Sequence, residues 1–321
     1  MATGKFIISL DFELHWGVAE LWDLNLKKDY FDATRKSIPM VLALFEKYHI
    51  HATWATVGFL FAKNKAQLLA FCPQKRPTYT NDTLSYYKLI DDNQVGEDEK
   101  EDPYHYAPSL IDLIVKTPHQ ELATHTFAHY YCNEAGQNKE QFEADIQAVQ
   151  RIAKENFDIE LKSLVFPRNQ FNKEYLEVAK KNGIKVFRSN PNVWFWQNNY
   201  GKLTPLLRAL DTLFAISKPL SYKSSEVIIS NGITELPASR FLRPFTPKEK
   251  SIRKRKLRRI LEEMKFAAAH NELYHLWWHP HNFGDAVQEN LEDLEIILRH
   301  YTALHLEYGF ESKSMATFLT N

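Results

Sequence analysis

Short apolar, β-branched runs alternate along the chain with longer segments of helical spacing. Residues 5–11 read as a buried strand. Asp32 can cap a helix running to about His49, with Ile38, Val41, Leu42 and Phe45 on one face. Residues 51–58 form a second strand, and 121–125 read as a strand ending. Helical spacing returns over 137–156. Residues 161–166 are strand-like, 173–182 helical, and Gly183 stands where a helix stops. A short strand follows at 184–188, and 226–236 read as extended. Residues 247–271 predict one long helix, Leu273–Trp278 a strand, and Val287–Tyr308 a final helix. Strands alternating with helices predict a parallel sheet, open or closed into a barrel. There is no internal repeat and no Gly/Ser linker, so residues 1–321 read as a single domain.

Two stretches break the alternation. Residues 63–107 hold Pro73, Pro77 and Pro103 and an acidic run at 91–102. They read as a solvated excursion, or as a lid or groove wall. Residues 248–259 place eight basic side chains in twelve positions. This is a solvated helix face, or a contact to phosphate, an acidic polymer or lipid.

Composition narrows the classes. Forty Lys+Arg balance forty Asp+Glu, which argues against a chain built as a whole to bind nucleic acid or an anionic membrane. Hydrophobic residues at 44% and charged residues at 25% are those of a folded globular protein. No apolar run approaches the ~20 residues of a membrane span. The first residues lack a signal peptide's apolar region and cleavage site, so a cytoplasmic location is expected. Cys72 and Cys132 cannot make a disulfide scaffold or a Cys-rich zinc site. Aromatics at 13% and thirteen His lean slightly towards carbohydrate.

The chemistry gathers at strand ends. Asp11 and Glu13, at i and i+2 of the first strand, point to one face. Close carboxylates repel unless a cation or proton lies between them. His125 and His129, at i and i+4, can bind one ion. Thr126 stands where a zincin would carry its glutamate. His279 and His281 follow Trp277-Trp278, and Arg168 follows Phe166-Pro167, each just past a strand. Arg168 can orient an acid by a bidentate contact. One carboxylate and two His with open positions make a mononuclear hydrolytic metal site.

In order and context these blocks resemble the polysaccharide deacetylase family, carbohydrate esterase family 4, with its NodB homology domain. The resemblance covers roughly residues 5–315. Glu121-Leu122-Ala123-Thr124-His125-Thr126-Phe127-Ala128-His129 is similar to the family's metal-binding block. Ser9-Leu10-Asp11-Phe12-Glu13 is similar to its acidic block, with the ligand displaced by one residue. Phe166-Pro167-Arg168-Asn169 replaces the usual Arg-Pro-Pro-Tyr run, and His279 resembles the terminal catalytic His. The resemblance implies a distorted, incomplete (β/α)7 TIM-like barrel. It implies a metal-dependent hydrolase removing an N-acetyl group from an amino sugar or polysaccharide. A divalent metal, zinc by preference, would sit on Glu13, His125 and His129. Asp11 would be the base, oriented by Arg168, and His279 the acid, with His281 competing for that role. Trp16, His15, Trp277 and Trp278 shape the pocket or pack the core. The expected partner is an N-acetylated saccharide, not nucleic acid. Hydrolysis of another linear or cyclic amide, or sugar binding without turnover, are the alternatives. A two-carboxylate glycosidase is disfavoured, because Asp11 and Glu13 share a strand face and cannot straddle a glycosidic bond.

Overall fold

The computed structural model describes residues 3–197, 211, 218–230 and 232–319. Strand β1 (Lys5–Phe12) is central. Along one edge it pairs with β2 (Ala52–Thr56) and, at its start, with β10 (Glu311–Lys313). Along the other it pairs with β9 (Leu273–Trp278). The sheet continues outward from β2 through β3 (Gln120–Thr124), β4 (Ser163–Val165) and β5 (Val186–Ser189) to β7 (Ile233–Pro237), all parallel. Strand β6 (Ile228–Ser230) adds an antiparallel edge to β7, and β8 (Arg240–Phe241) pairs with β9.

Only Ala238 and Ser239 separate β7, at one side of this order, from β8, at the other. The Ala238 N–H donates to Ser189 O of β5, and the Ser239 N–H to His275 O of β9. The sheet therefore curls until one continuous stave, β7–β8, touches both sides. Counting that stave once, seven parallel staves surround the bore. The expected distorted, incomplete (β/α)7 barrel is the fold adopted. Helices α1 (Lys28–Lys47), α2 (Pro108–Lys116), α3 (Lys139–Phe157), α4 (Lys173–Lys181), α5 (Arg253–Ala269) and α6 (Val287–Tyr308) follow in chain order.

Strand alternation divides the side chains. On β1, Phe6, Ile8, Leu10 and Phe12 face the helices and join the main core. Ile7 instead meets Ala55, Ala123, Val165, Val186, Leu236 and Leu273 inside the bore. Ser9 and Asp11 share the parity of Ile7, so the polar positions of β1 lie above this apolar plug.

Several expectations need correcting. Helix α1 starts at Lys28, not at Asp32, because a turn at Leu24–Leu26, capped by the Asp23 side chain, launches it early. The predicted helix over 247–271 is a 3-10 turn, Pro247–Ile252, followed by α5. The backbone kinks at Glu249, whose carboxylate pairs with Arg243 and Lys256. Residues 226–236 are not one strand: Gly232, at φ +76°, turns β6 back onto β7. The 63–107 excursion is not simply solvated. Tyr86, Tyr87, Ile90, Val95 and Tyr106 are buried in the main core. Among the described residues no helix is long and apolar enough to cross a membrane.

Candidate active site

The site lies where the C-terminal ends of β1, β3 and β9 meet, as barrel geometry dictates. Glu13 follows β1, His125 follows β3, and His279 follows β9. His129 sits one loop further on. Asp11, Glu13, His125, His129 and His281 are buried, and the His279 side chain keeps 26% of its surface exposed. Glu13 Oε1 is 2.9 Å from His125 Nε2 and 3.2 Å from His129 Nε2. His279 Nε2 is 3.6 Å from Asp11 Oδ2 and 3.8 Å from Glu13 Oε1. Donor atoms of Glu13, His125 and His129 all lie within 4.8 Å of one another, as do those of Asp11, Glu13 and His279.

The chemistry of these donors fits a cation. His125 Nδ1 is 2.7 Å from Val165 O, and a carbonyl only accepts, so Nδ1 carries the proton. The Nε2 lone pair then faces the Glu13 carboxylate, and this buried atom has no hydrogen-bond partner. A lone pair held against a carboxylate is repulsive unless a proton or metal lies between them. Donors on adjacent corners of a tetrahedral zinc, each ~2.0–2.1 Å away, stand about 3.3 Å apart. The two contacts of Glu13 are of this size. Gly17 holds open the space behind: a Cβ there would lie 1.8 Å from Glu13 Oε2.

Charge follows the same arrangement. Burial alone would raise the Glu13 carboxyl, but His279 and the close imidazoles of His125 and His129 outweigh it. Its pKa falls well below the usual carboxylate value. Burial pushes the His129 imidazole down, against the pull of Glu13. Burial, with His279 nearby, takes His281 down to about 3. An ionised Glu13 beside an imidazole that resists protonation, His129, is a metal-ligating state.

Asp11 is held separately. Arg188, fully buried on β5, donates from Nη1 to Oδ1 and from Nη2 to Oδ2, both at 2.7 Å. It also donates to Ser9 Oγ at 3.0 Å and to Asn169 Oδ1 at 3.2 Å, and its plane lies 4.2 Å from the Trp277 ring. Burial raises the Asp11 carboxyl; Arg188, with His125 and His279, more than reverses this and lowers its pKa. The arginine expected on Asp11 was Arg168. It is elsewhere: half-exposed, paired with Glu20 and stacked 4.2 Å over Tyr131. The turn after β4 explains the difference, because Arg168 and Asn169 both adopt φ 52°. That left-handed pair points Arg168 away from Asp11 and brings Asn169 onto Arg188. The missed signal was an arginine at an inward position of a short buried strand, Val186-Phe187-Arg188.

Two further groups support the histidines. Asp145 of α3 accepts the Phe127 N–H at 2.6 Å and the Ala128 N–H at 2.9 Å, gripping the loop between His125 and His129. The Tyr131 hydroxyl meets His129 Nδ1 at 3.0 Å and the Tyr86 hydroxyl at 2.9 Å. Ten non-glycine residues have positive φ among those described. Five of them (Leu14, Thr126, His129, Arg168 and Asn169) border this site. Such strain persists where surrounding structure over-determines it, and it gathers at functional sites.

Comparison with known proteins agrees with the fold. The chain matches a Mycobacterium smegmatis structure assigned to the polysaccharide deacetylases, with a TM-score of 0.61 and 10% identity. That match covers 99% of this chain and 89% of the other. A GH57-type branching enzyme from Pyrococcus horikoshii aligns at TM-score 0.52 and 13% identity, over 98% and 69% of the two chains. A 4-alpha-glucanotransferase from Thermococcus litoralis aligns at TM-score 0.53 and 12% identity, over 94% and 38%. At these identities the likenesses concern the fold alone. No curated protein matches the sequence. The family described as polysaccharide deacetylase matches residues 29–187, which include His125, His129 and Arg168. Residues 29–187 are thus similar to the polysaccharide deacetylase domain.

Proposed function

We propose that the protein is a metal-dependent hydrolase that removes an N-acetyl group from an amino sugar or polysaccharide. The observation that carries this reading is the buried convergence of Glu13, His125 and His129, with an unpartnered imidazole lone pair aimed at the carboxylate. Glu13, His125 and His129 would hold a divalent ion, with zinc favoured by two imidazoles and one carboxylate. When bound, such an ion supplies Lewis acidity, polarising the amide carbonyl and lowering the pKa of the attacking water.

The remaining steps fall to side chains. Asp11 takes the water proton at Oδ2, the oxygen that faces His279 across 3.6 Å. Arg188 holds both carboxylate oxygens, so the free lone pair of Oδ2 has a fixed direction. His279 gives a proton to the departing nitrogen as the carbon–nitrogen bond breaks, leaving acetate and a free amine. Trp277 and Phe241 flank the His279 ring at 5.8 Å and fix its approach.

The test has two readouts. Metal content per chain is measured for wild type and for a His125→Ala/His129→Ala double variant, and acetate release is measured from N-acetylglucosamine oligomers. About one ion per wild-type chain, lost in the variant, together with acetate release abolished by His279→Ala but not by His281→Ala, is the expected result. A metal-free wild type after soaking in zinc and cobalt removes the hydrolytic reading. The opposite pattern at the two histidines reassigns the acid.

A further inference from the structure

The basic segment 248–259 plays no part in the site described above. Its charges are only partly paired. Arg253 is paired with Glu292 and Asp293, and Lys256 with Glu249. Lys248, Lys250, Lys254 and Arg258 are exposed and have no ion-pair or hydrogen-bonding side-chain partner among the described residues. Lys254 and Arg258, at i and i+4, stand on one face of α5. The chain as a whole is neutral, so this is a local concentration of positive charge.

A second observation lies beside it. Trp194 is 49% exposed, and Ile228 and Ile229 on the edge strand β6 are 53% and 60% exposed. Trp194, Ile228 and Lys218 line one open cavity of about 580 Å³. Lys218 in turn accepts a hydrogen bond from Arg259 of α5 through its carbonyl. Lys218 thus ties the cavity that Trp194 and Ile228 line to the helix that carries Lys254 and Arg258.

Both are joined through the chain to residues that flank His279. Trp196, two residues from Trp194, packs edge-on against Trp277 at 6.3 Å, and Trp277 lies 5.8 Å from His279. On the other branch, Phe241 also lies 5.8 Å from His279. Only seven residues, at most ~25 Å of chain, lead from it to Lys248.

We infer that these residues form a docking surface for an anionic lipid bilayer. Lys248, Lys250, Lys254 and Arg258 meet the headgroups, and Trp194 and Ile228 enter the interface. Charge alone would suit any polyanion. Exposed tryptophan and isoleucine beside unpaired lysines are what an interface offering both phosphate and hydrocarbon recognises. A soluble acidic polymer makes no use of the apolar half. Docked this way, the site opens against the membrane, where a saccharide carried on lipid would be presented. The surface needs no catalysis, so its test is separate from that of the hydrolytic reading.

The experiment is co-sedimentation of the full-length protein with vesicles, either phosphatidylcholine alone or an equal mixture with phosphatidylglycerol. Binding is expected only to the mixed vesicles and should weaken as salt rises. Replacing Lys248, Lys250, Lys254 and Arg258 together by Glu should weaken it at least tenfold. Trp194→Ser/Ile228→Ser should weaken it severalfold at unchanged salt dependence. All these positions are exposed, and circular dichroism checks that each variant stays folded. Equal binding to both vesicle types, or unchanged binding of the charge-reversed variant, overturns the proposal. So does tight binding of soluble polygalacturonate without vesicle binding, which would make the partner an acidic polymer.

Discussion

The Asp11–Arg188 pair is a buried, forked ion pair, and its removal has a calculable result. Both side chains are buried, and two 2.7 Å hydrogen bonds join them in a fork. Arg188→Met keeps most of the side-chain volume but leaves the Asp11 carboxylate buried without its counter-ion. Breaking one half of a buried pair costs roughly 3–5 kcal/mol. For a chain of this length about 2 °C of melting temperature accompanies each kcal/mol, so a fall of roughly 6–10 °C is expected. Asp11→Asn alone leaves the guanidinium uncompensated and should cost a similar amount. The Asp11→Asn/Arg188→Met double variant contains neither orphan charge, so its cost should be at least ~2 kcal/mol below the sum of the two singles.

The assay is urea unfolding of all four proteins, with acetate release measured across pH for wild type and Arg188→Lys. Lysine keeps the charge but cannot fork across both oxygens. The Arg188 contribution that outweighs burial is then weakened, and the Asp11 pKa rises. The acid limb of the rate profile should move to higher pH while the alkaline limb stays. Additivity of the two singles within ~0.5 kcal/mol would show that the charges are not coupled. An unmoved acid limb in a folded, active Arg188→Lys protein would remove Asp11 as the titrating base.

Three further outcomes are expected. Gly17→Ala puts a Cβ 1.8 Å from Glu13 Oε2, so the carboxylate must swing away; zinc affinity, measured on the folded apo-protein, should fall at least tenfold. Asp145→Ala leaves the Phe127 and Ala128 N–H groups buried and unbonded, and should cost ~1–3 kcal/mol in apo-protein stability and ~10–100-fold in metal affinity. His275 has its pKa lowered to about 3, chiefly by burial. Below the ordinary value of 6.5 the unfolded chain gains a proton there that the folded chain refuses, so this stability is present above pH 6.5 and lost as pH falls towards 3. Between pH 6 and 4, wild type should lose ~1.4 kcal/mol per pH unit more than His275→Gln in urea titrations, and equal slopes would contradict the assignment.

How much of this was legible depends on whether the physics is local. On β1, period-two alternation sends Phe6, Ile8, Leu10 and Phe12 to the helices and Ser9 and Asp11 to the bore, and the sequence pattern shows it directly. The His125 and His129 block is likewise contiguous in sequence. The 63–107 segment resisted reading because its buried aromatics keep neither helical nor strand spacing. Tyr86 is placed by its hydrogen bonds to Glu20 and Tyr131, which lie far off in sequence. The split of 226–236 turned on Gly232 alone, and α1 began early because of a three-residue turn that no periodicity announces.

The displaced arginine shows what constrains the site. Asp11 needs a buried cation within reach, and in a curled sheet more than one strand end can supply it. Strands β4 and β5 are hydrogen-bonded neighbours, with Val165 in register with Arg188. An arginine just after β4 and one at the end of β5 can therefore approach the same bore. Here the left-handed turn at Arg168 and Asn169 excludes the first, and Asn169 receives the second. Arg168, released from the interior, pairs with Glu20 and ties the segment after β1 to the segment after β4. Reading the arginine by its place after a Pro assigned the role to a position in the chain. The structure assigns it to a position in the bore, which the distances to Asp11 define.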